Sequence, residues 1–457
     1  MAAPMTMVEQ QGRGWLRWLL AFAEARSFRL LLWSGLAAQL LLVLLITSPW
    51  VRSSDSLEYL QLAEALSQGR YGGITAAGFE AEALRPPGYP AFLWLVLHVL
   101  HLPVVAAVVI QLAVYAACLA LIVRWLRPIR FAPQLFLLCA LIYLFPAIYV
   151  SALMSEAFAV LAMTVVALLA TRTLSVPVLL GMGAVAALGA MFRPDLLLLP
   201  VAVTVALVLT QRFRLALLLP LLAAGVVLAP YTLYNAGSFG KLTPLPVASA
   251  TGNSLYMSTW QDQLSQDDLN AFYQGRATRP AIESGLAGEV SRINRQIGVP
   301  PLTAPWYPKN YPDRRTQVLS SKLFGDAAKA RIRAEPGRYA RHVVGNVWKI
   351  WNTSVYPAST PTVAKLGLSL VSGLVLLLGL VGAVVTLVGP AGWPVPRIVA
   401  LIFGYVPALQ IWFHGEARYT TAVRPLLMMF AAVLVQQAVV RWHRRQQPEA
   451  LPQAHPA

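Results

Sequence analysis

In a chain of 457 residues with 57% hydrophobic and only 12% charged side chains, each acid is a candidate for chemistry. Asp55 stands in the first long polar stretch, Val51 to Pro90, in which Arg85 is followed by Pro86 and Pro87. A carboxylate at this place fits two readings. It can cap a helix, because Glu58 three residues on completes a capping-box pattern. It can also act as a general base that takes the proton of an attacking hydroxyl, a role worth about 10²- to 10⁴-fold. The two are compatible, since a cap would hold the carboxylate in place. Arg85 has two readings as well. One is a side chain snorkelling to an interface. The other is a guanidinium that grips a phosphate through paired charge-assisted bonds, on backbone stiffened by the prolines.

Glu156 follows Ser155 at the start of an apolar run. There an acid suits the helix dipole, yet acids beside membrane spans are costly and mark functional sites. Arg193, Pro194 and Asp195 read as a tight turn with a neighbouring ion pair, proline standing near a first helical position. In HGEARY, His414 and Glu416 are two candidate ligands on a turn, too few to make a metal site, so no metal or cofactor is expected. Arg418 in the same stretch is a second candidate for a phosphate. Glu58, Tyr59 and Tyr89 flank Asp55 and Arg85 and, with Arg193, Asp195, His414 and Glu416, are candidates for positioning a substrate.

What must carry these residues is a membrane. A soluble domain has about 25% charged residues, and half that value with repeated apolar runs near bilayer length means a polytopic all-α membrane protein. The net charge of +17 fits cytoplasmic loops and anionic headgroups, and no compact nucleic-acid module accompanies it. Cys118 and Cys139 both sit inside apolar runs, as small core residues rather than a disulfide or metal pair. The N-terminal arginines precede no trusted cleavage site, so the N-terminus reads as a retained anchor.

Residues 1–29 read as a cytoplasmic segment, amphipathic from Gly14 to Phe28. The first span is expected from Leu30 to Thr47, with four arginines holding its start in the cytoplasm. In the loop that follows, Tyr59, Leu62, Ala63 and Leu66 fall on one helical stripe that Asp55 shares, while Glu64 points the opposite way. A second short helix is expected over Ala76 to Ala83. Gly88 to Leu102 could cross, but its short length and the positive-inside rule favour a segment along the outer interface.

Further spans then alternate: Val104–Val123, Pro133–Tyr149, Ala157–Ala170, Val176–Met191, Leu196–Thr210 and Leu215–Tyr231. After a long polar segment come Leu366–Val388, Ile398–Phe413 and Thr421–Val440, giving about ten transmembrane helices with both termini inside. The expected organisation is a membrane module over 30–233, with its first loop at 51–103. An extracytoplasmic subdomain of short helices follows at 234–362, then C-terminal membrane helices at 363–440 and a cytoplasmic tail at 441–457. This topology gathers Asp55, Arg85, Glu156, Arg193, Asp195, His414, Glu416 and Arg418 at one outer face.

The order of several motifs carries a resemblance. SSDSLEYLQLAEALSQG and LRPPGYPAFLWL (Ser53 to Leu95), LMSEAFAVLAM (Leu153 to Met163), FRPD, and YNAGSFGKLTPLPVASATGNSLY (Tyr234 to Tyr256) resemble the GT-C class of membrane glycosyltransferases. EPGRYARHVVGNVWKIW (Glu335 to Trp351) and EARYTTAVRPLL (Glu416 to Leu427) do so too. The closest likeness is to bacterial members of the dolichyl-phosphate-mannose–protein mannosyltransferase-like family 39, with aminoarabinose- and galacturonosyltransferase-like relatives. The resemblance implies a GT-C-like fold with its cavity at the outer face of the cytoplasmic (inner) membrane. It also implies an inverting transfer from a polyprenyl-phosphate sugar donor to a glycolipid, glycan or protein acceptor. In that frame Asp55 matches the catalytic acid, Arg85 the basic residue ahead of the Pro-Pro turn, and Glu156 the second acidic position. Many relatives carry two adjacent acids at the first motif; here Ser56 follows Asp55, a departure that weighs against a metal requirement and leaves the general base in place. Two rival readings are a polyprenyl-linked glycan transporter or flippase, which would show paired repeats and midplane polar residues, and an O-antigen ligase or polymerase relying on a late loop.

Overall fold

The computed structural model describes residues 26–46, 54–75, 78–244, 246–247, 251–273, 276, 278–300, 311, 313–351, 362–390, 392–413 and 415–445. The amphipathic reading of the N-terminus up to residue 25, and the tail beyond 445, lie outside these residues. Among the described residues the architecture is all-α apart from one hairpin, and it is that of an integral membrane protein. Helix α1 (Arg26–Ile46) enters the bundle and α2 (Ser54–Ser67) follows it. Strands β1 (Gly72–Thr75) and β2 (Gly78–Ala81) pair antiparallel, with Gly72 opposite Ala81 and Thr75 opposite Gly78. Then come α3 (Gly88–Trp94), which passes into a π-helical turn over Leu95–Val99, and α4 (Val104–Leu126).

The bundle continues through α5 (Ala132–Ile142), α6 (Phe145–Val150), α7 (Glu156–Leu169), α8 (Val176–Phe192), α9 (Leu199–Thr210) and α10 (Leu219–Phe239). A second unit, termed outer because it lies beyond the acidic end of the bundle, holds α11 (Thr251–Ser258), α12 (Gln266–Tyr273), α13 (Arg279–Glu283), α14 (Leu286–Ile297), α15 (Arg314–Ala334) and α16 (Pro336–Lys349). Helices α17 (Thr362–Val388), α18 (Arg397–Gln410) and α19 (Arg424–Arg445) close the bundle.

Among the described residues, five helical stretches are long and apolar enough to cross a membrane: α1, α4, Leu215–Phe239, Ser369–Val388 and Ala417–His443. Six shorter apolar helices of 10–17 residues stand beside them. Without a hydrophobic drive between helices in lipid, close contact depends on small residues. Helices α17 and α19 meet at Gly379 and Gly382. A Cβ on Gly382 would lie 2.5 Å from the carbonyl oxygen of Phe430, so only glycine permits this approach.

Three expectations change here. The stretch expected as a helix over Ala76 to Ala83 instead contributes the second strand, Gly78–Ala81. Gly78 adopts φ +108°, a left-handed conformation that suits glycine and breaks a helix. The run from Pro133 to Tyr149 is broken between Ile142 and Phe145, where Tyr143 leaves helical geometry and Pro146 restarts the chain as α6. In addition, α10 extends past Tyr234, where the polar segment was expected to begin, to Phe239.

The bundle has two chemically distinct ends. Trp125 donates to Thr171 Oγ1 at 3.0 Å, Arg214 reaches the Leu174 carbonyl, and Ile129, Gly392 and Arg441 line one cavity. This end carries Arg124, Arg127, Arg130, Arg172, Arg212, Arg214, Arg397 and Arg441, and its described turns hold no acid. The acids gather at the other end, beneath the outer unit. That unit has its own apolar core, with Tyr256, Trp260, Phe272, Val290 and Phe324 buried together.

Candidate active site

The side chains at the acidic end are brought together by helix starts and by the turns between helices. Helix α2 begins at Ser54, so Asp55 lies in its first turn rather than at the N-cap. The stripe of Asp55, Tyr59, Leu62 and Ala63 faces inward and is buried, while Glu64 is 60% exposed on the other side. Glu156 opens α7 and is 2% exposed. Arg193 sits in extended backbone after α8, ahead of a 3₁₀ turn over Pro194–Leu196. Arg418 lies on a longer 3₁₀ segment, Ala417–Val423, that leads into α19.

These groups form one chain of ion pairs. Arg85 donates from Nη2 to Asp55 Oδ1 at 2.7 Å and to Glu58 Oε2 at 2.9 Å. Its guanidinium also lies 5.1 Å from the centre of the Tyr59 ring. The second oxygen of Asp55 faces Arg418 Nη2 at 3.3 Å. Arg418 Nε lies 4.0 Å from Glu156 Oε1, and the same oxygen takes Arg193 Nη1 at 3.0 Å. Arg193 then forks onto Asp195, with contacts of 3.1 and 2.8 Å. Burial disfavours the charge of Arg193, but the carboxylates of Asp195 and Glu156 outweigh it and hold its pKa up. Burial likewise pushes the Tyr59 phenol up.

Asp55, Tyr59, Arg85, Glu156, Arg193, Asp195 and Arg418 all line a single cavity of about 400 Å³. One wall is apolar, made by Leu197, Leu198, Leu409 and Phe413, so the cavity can take a ligand with a charged head and a greasy body. Oε2 of Glu156 is buried with no hydrogen-bond partner among the described residues, which leaves an acceptor unspent at the heart of the network.

The remaining candidates are placed differently. Glu58 touches the site through Arg85, and Glu416 stands at its rim, 41% exposed and 3.8 Å from Arg418. Tyr89 is fully buried behind Tyr59, its ring 4.7 Å away and its hydroxyl donating to Gln111, so it supports the site rather than lining it. His414 lies outside the described residues.

Sequence reasoning gave no role to Tyr419, at the end of HGEARY, whose ring lies beside both Arg193 and Arg418, and passed over Gln410, which donates to Asp195 at 3.2 Å. It also passed over Glu82, which is 2% exposed just behind Arg85. An acid three residues ahead of the Arg-Pro-Pro turn was the available signal.

No family model matches the chain, and no curated protein matches it. One solved structure is similar. It is the crystal structure of ArnT from Cupriavidus metallidurans bound to undecaprenyl phosphate. The match covers 94% of this chain and 82% of that one, with 13% identity and a TM-score of 0.39. A likeness so distant leaves the chemistry to be read from the side chains.

Proposed function

We propose that this protein is a membrane glycosyltransferase that moves a sugar from a polyprenyl-phosphate donor to an acceptor hydroxyl at the extracytoplasmic face. The observation that carries the reading is a carboxylate, Asp55, held between two guanidinium groups in a cavity with an apolar wall. A phosphate on an apolar chain fits that pairing of charge and grease. Asp55 is the base, Arg85 and Arg418 the phosphate ligands, and Glu156 positions the acceptor.

The residues suggest an order of events. In the resting site, Arg85 and Arg418 occupy the two oxygens of Asp55. A donor phosphate competes for both guanidiniums and draws them away from the carboxylate. Asp55 then accepts the acceptor's proton as the hydroxyl oxygen bonds to the anomeric carbon and the carbon–phosphate oxygen bond breaks. The lipid phosphate leaves with the electron pair, into preorganised positive charge, where such charge contributes most. Attack opposite the leaving group inverts the anomeric centre.

Purified protein in proteoliposomes with a polyprenyl-phosphate sugar tests this. The expected result is release of polyprenyl phosphate matched by a new glycosidic bond on a hydroxylated acceptor. Movement of the intact donor across the bilayer without bond formation would make the protein a flippase.

A further inference from the structure

Behind the cavity, Arg85 is held by its backbone as firmly as by its side chain. Oε1 of Glu82 accepts the N–H groups of Leu84 and Arg85, at 2.7 and 3.0 Å, and the hydroxyl of Tyr71 donates to the Arg85 carbonyl at 2.8 Å. The other oxygen of Glu82 takes Nη2 of Arg314 at 2.6 Å. Arg314 is the first residue of α15 in the outer unit, capped by Asp313, and its other donors also go to fixed partners. Its N–H goes to Glu80 at 2.8 Å, its Nε to the Ala81 carbonyl at 2.7 Å and its Nη1 to Gln317 at 2.6 Å. The start of α15 therefore grips the end of β2, and Glu82 hands that grip to the peptide that presents Arg85.

We propose that Glu82 is a positioning residue that couples the seating of the outer unit, through Arg314, to the placement of the Arg85 guanidinium. Glu82 does not line the cavity; it acts through the Leu84–Arg85 backbone that presents the guanidinium. Strand β2 ends at Ala81, directly before this acid and four residues ahead of Arg85. Tyr234 of α10 fastens the same place, its one hydroxyl proton shared between the carbonyls of Tyr71 and Glu82 at 3.0 and 3.1 Å. Displacing a binding group by about 1 Å can cost around 10²-fold, so a loose hairpin is enough to silence the site. This proposal rests on the phosphate role given to Arg85.

A double-mutant cycle separates positioning from general support of the fold. Glu82→Ala, Arg314→Ala and Arg85→Ala are made singly, and each of the first two is combined with the third. Donor kcat/KM is measured in proteoliposomes at matched protein amount and unfolding temperature. Glu82→Ala and Arg314→Ala are each expected to lower kcat/KM by roughly 10- to 10²-fold on their own. On top of Arg85→Ala they should cost less than about twofold more, because they act through a side chain already gone. Equal losses in both backgrounds would overturn the coupling while leaving the role of Arg85 intact. If Arg85→Ala alone leaves kcat/KM unchanged, the phosphate role fails and this proposal with it. Should Glu82→Ala fail to fold, the Arg314→Ala arm, made at the outer end of the relay, decides the same question.

Discussion

Asp55 has both oxygens against arginines, 2.7 Å from Arg85 and 3.3 Å from Arg418, and this sets what each residue can contribute. Removing Arg85 takes away charge-assisted bonds worth about 1.5–3 kcal/mol each. Arg85→Ala is therefore expected to raise the donor KM by roughly 10- to 10²-fold, read from steady-state kinetics. Arg85→Lys should recover only part of this, because a point charge cannot span Asp55 and Glu58 as the planar fork does. A donor KM indifferent to both changes would remove Arg85 from the phosphate role. Asp55, Arg85 and Glu156 were legible in the sequence because charge is so sparse in this chain that each acid stands out. The spacing of Glu82 ahead of Arg85 was a signal passed over, but its pairing with Arg314, far along the chain, was not legible. Tyr89 misled for the opposite reason. It lies beside the Pro-Pro turn in sequence, yet its ring turns into the core.

At the scale of elements, apolar periodicity located the bundle helices well, because bilayer length and 3.6-residue spacing are local properties. It failed where glycine and proline overrode it. Gly78 turned an expected helix into a strand, and Pro146 split one apolar run in two. The contact of α17 with α19 was invisible as well, because Gly379 and Gly382 acquire meaning only against Leu427 and Phe430. Gly382→Leu drives a side chain into the Phe430 backbone, and overpacking of this kind costs about 1–3 kcal/mol. The expected outcome is a lower unfolding temperature in detergent, with Gly367→Leu, which has open space around it, as the neutral comparison. Equal unfolding temperatures would show that the two helices do not meet as described.

The whole molecule is a bundle with a basic end and an acidic end capped by the outer unit. If the basic end is cytoplasmic, as the distribution of arginine indicates, the cavity opens on the extracytoplasmic side. In right-side-out vesicles, a cysteine replacing the exposed Arg292 of α14 should react with a membrane-impermeant maleimide, and one replacing Arg212 only after permeabilisation. Labelling of both from the same side would reverse or dismantle this topology. The alternation of spans rests on length and arginine placement, and the labelling experiment is its test. The convergence of Asp55, Arg193 and Arg418 on one cavity needed the packed helices. The central claim is that this cavity transfers sugar with Asp55 as its base. Asp55→Asn, checked for expression, membrane insertion and donor binding, tests it most directly through the rate of glycosidic bond formation in proteoliposomes. The account predicts a loss of about 10²- to 10⁴-fold with donor still bound; transfer at the native rate would contradict it.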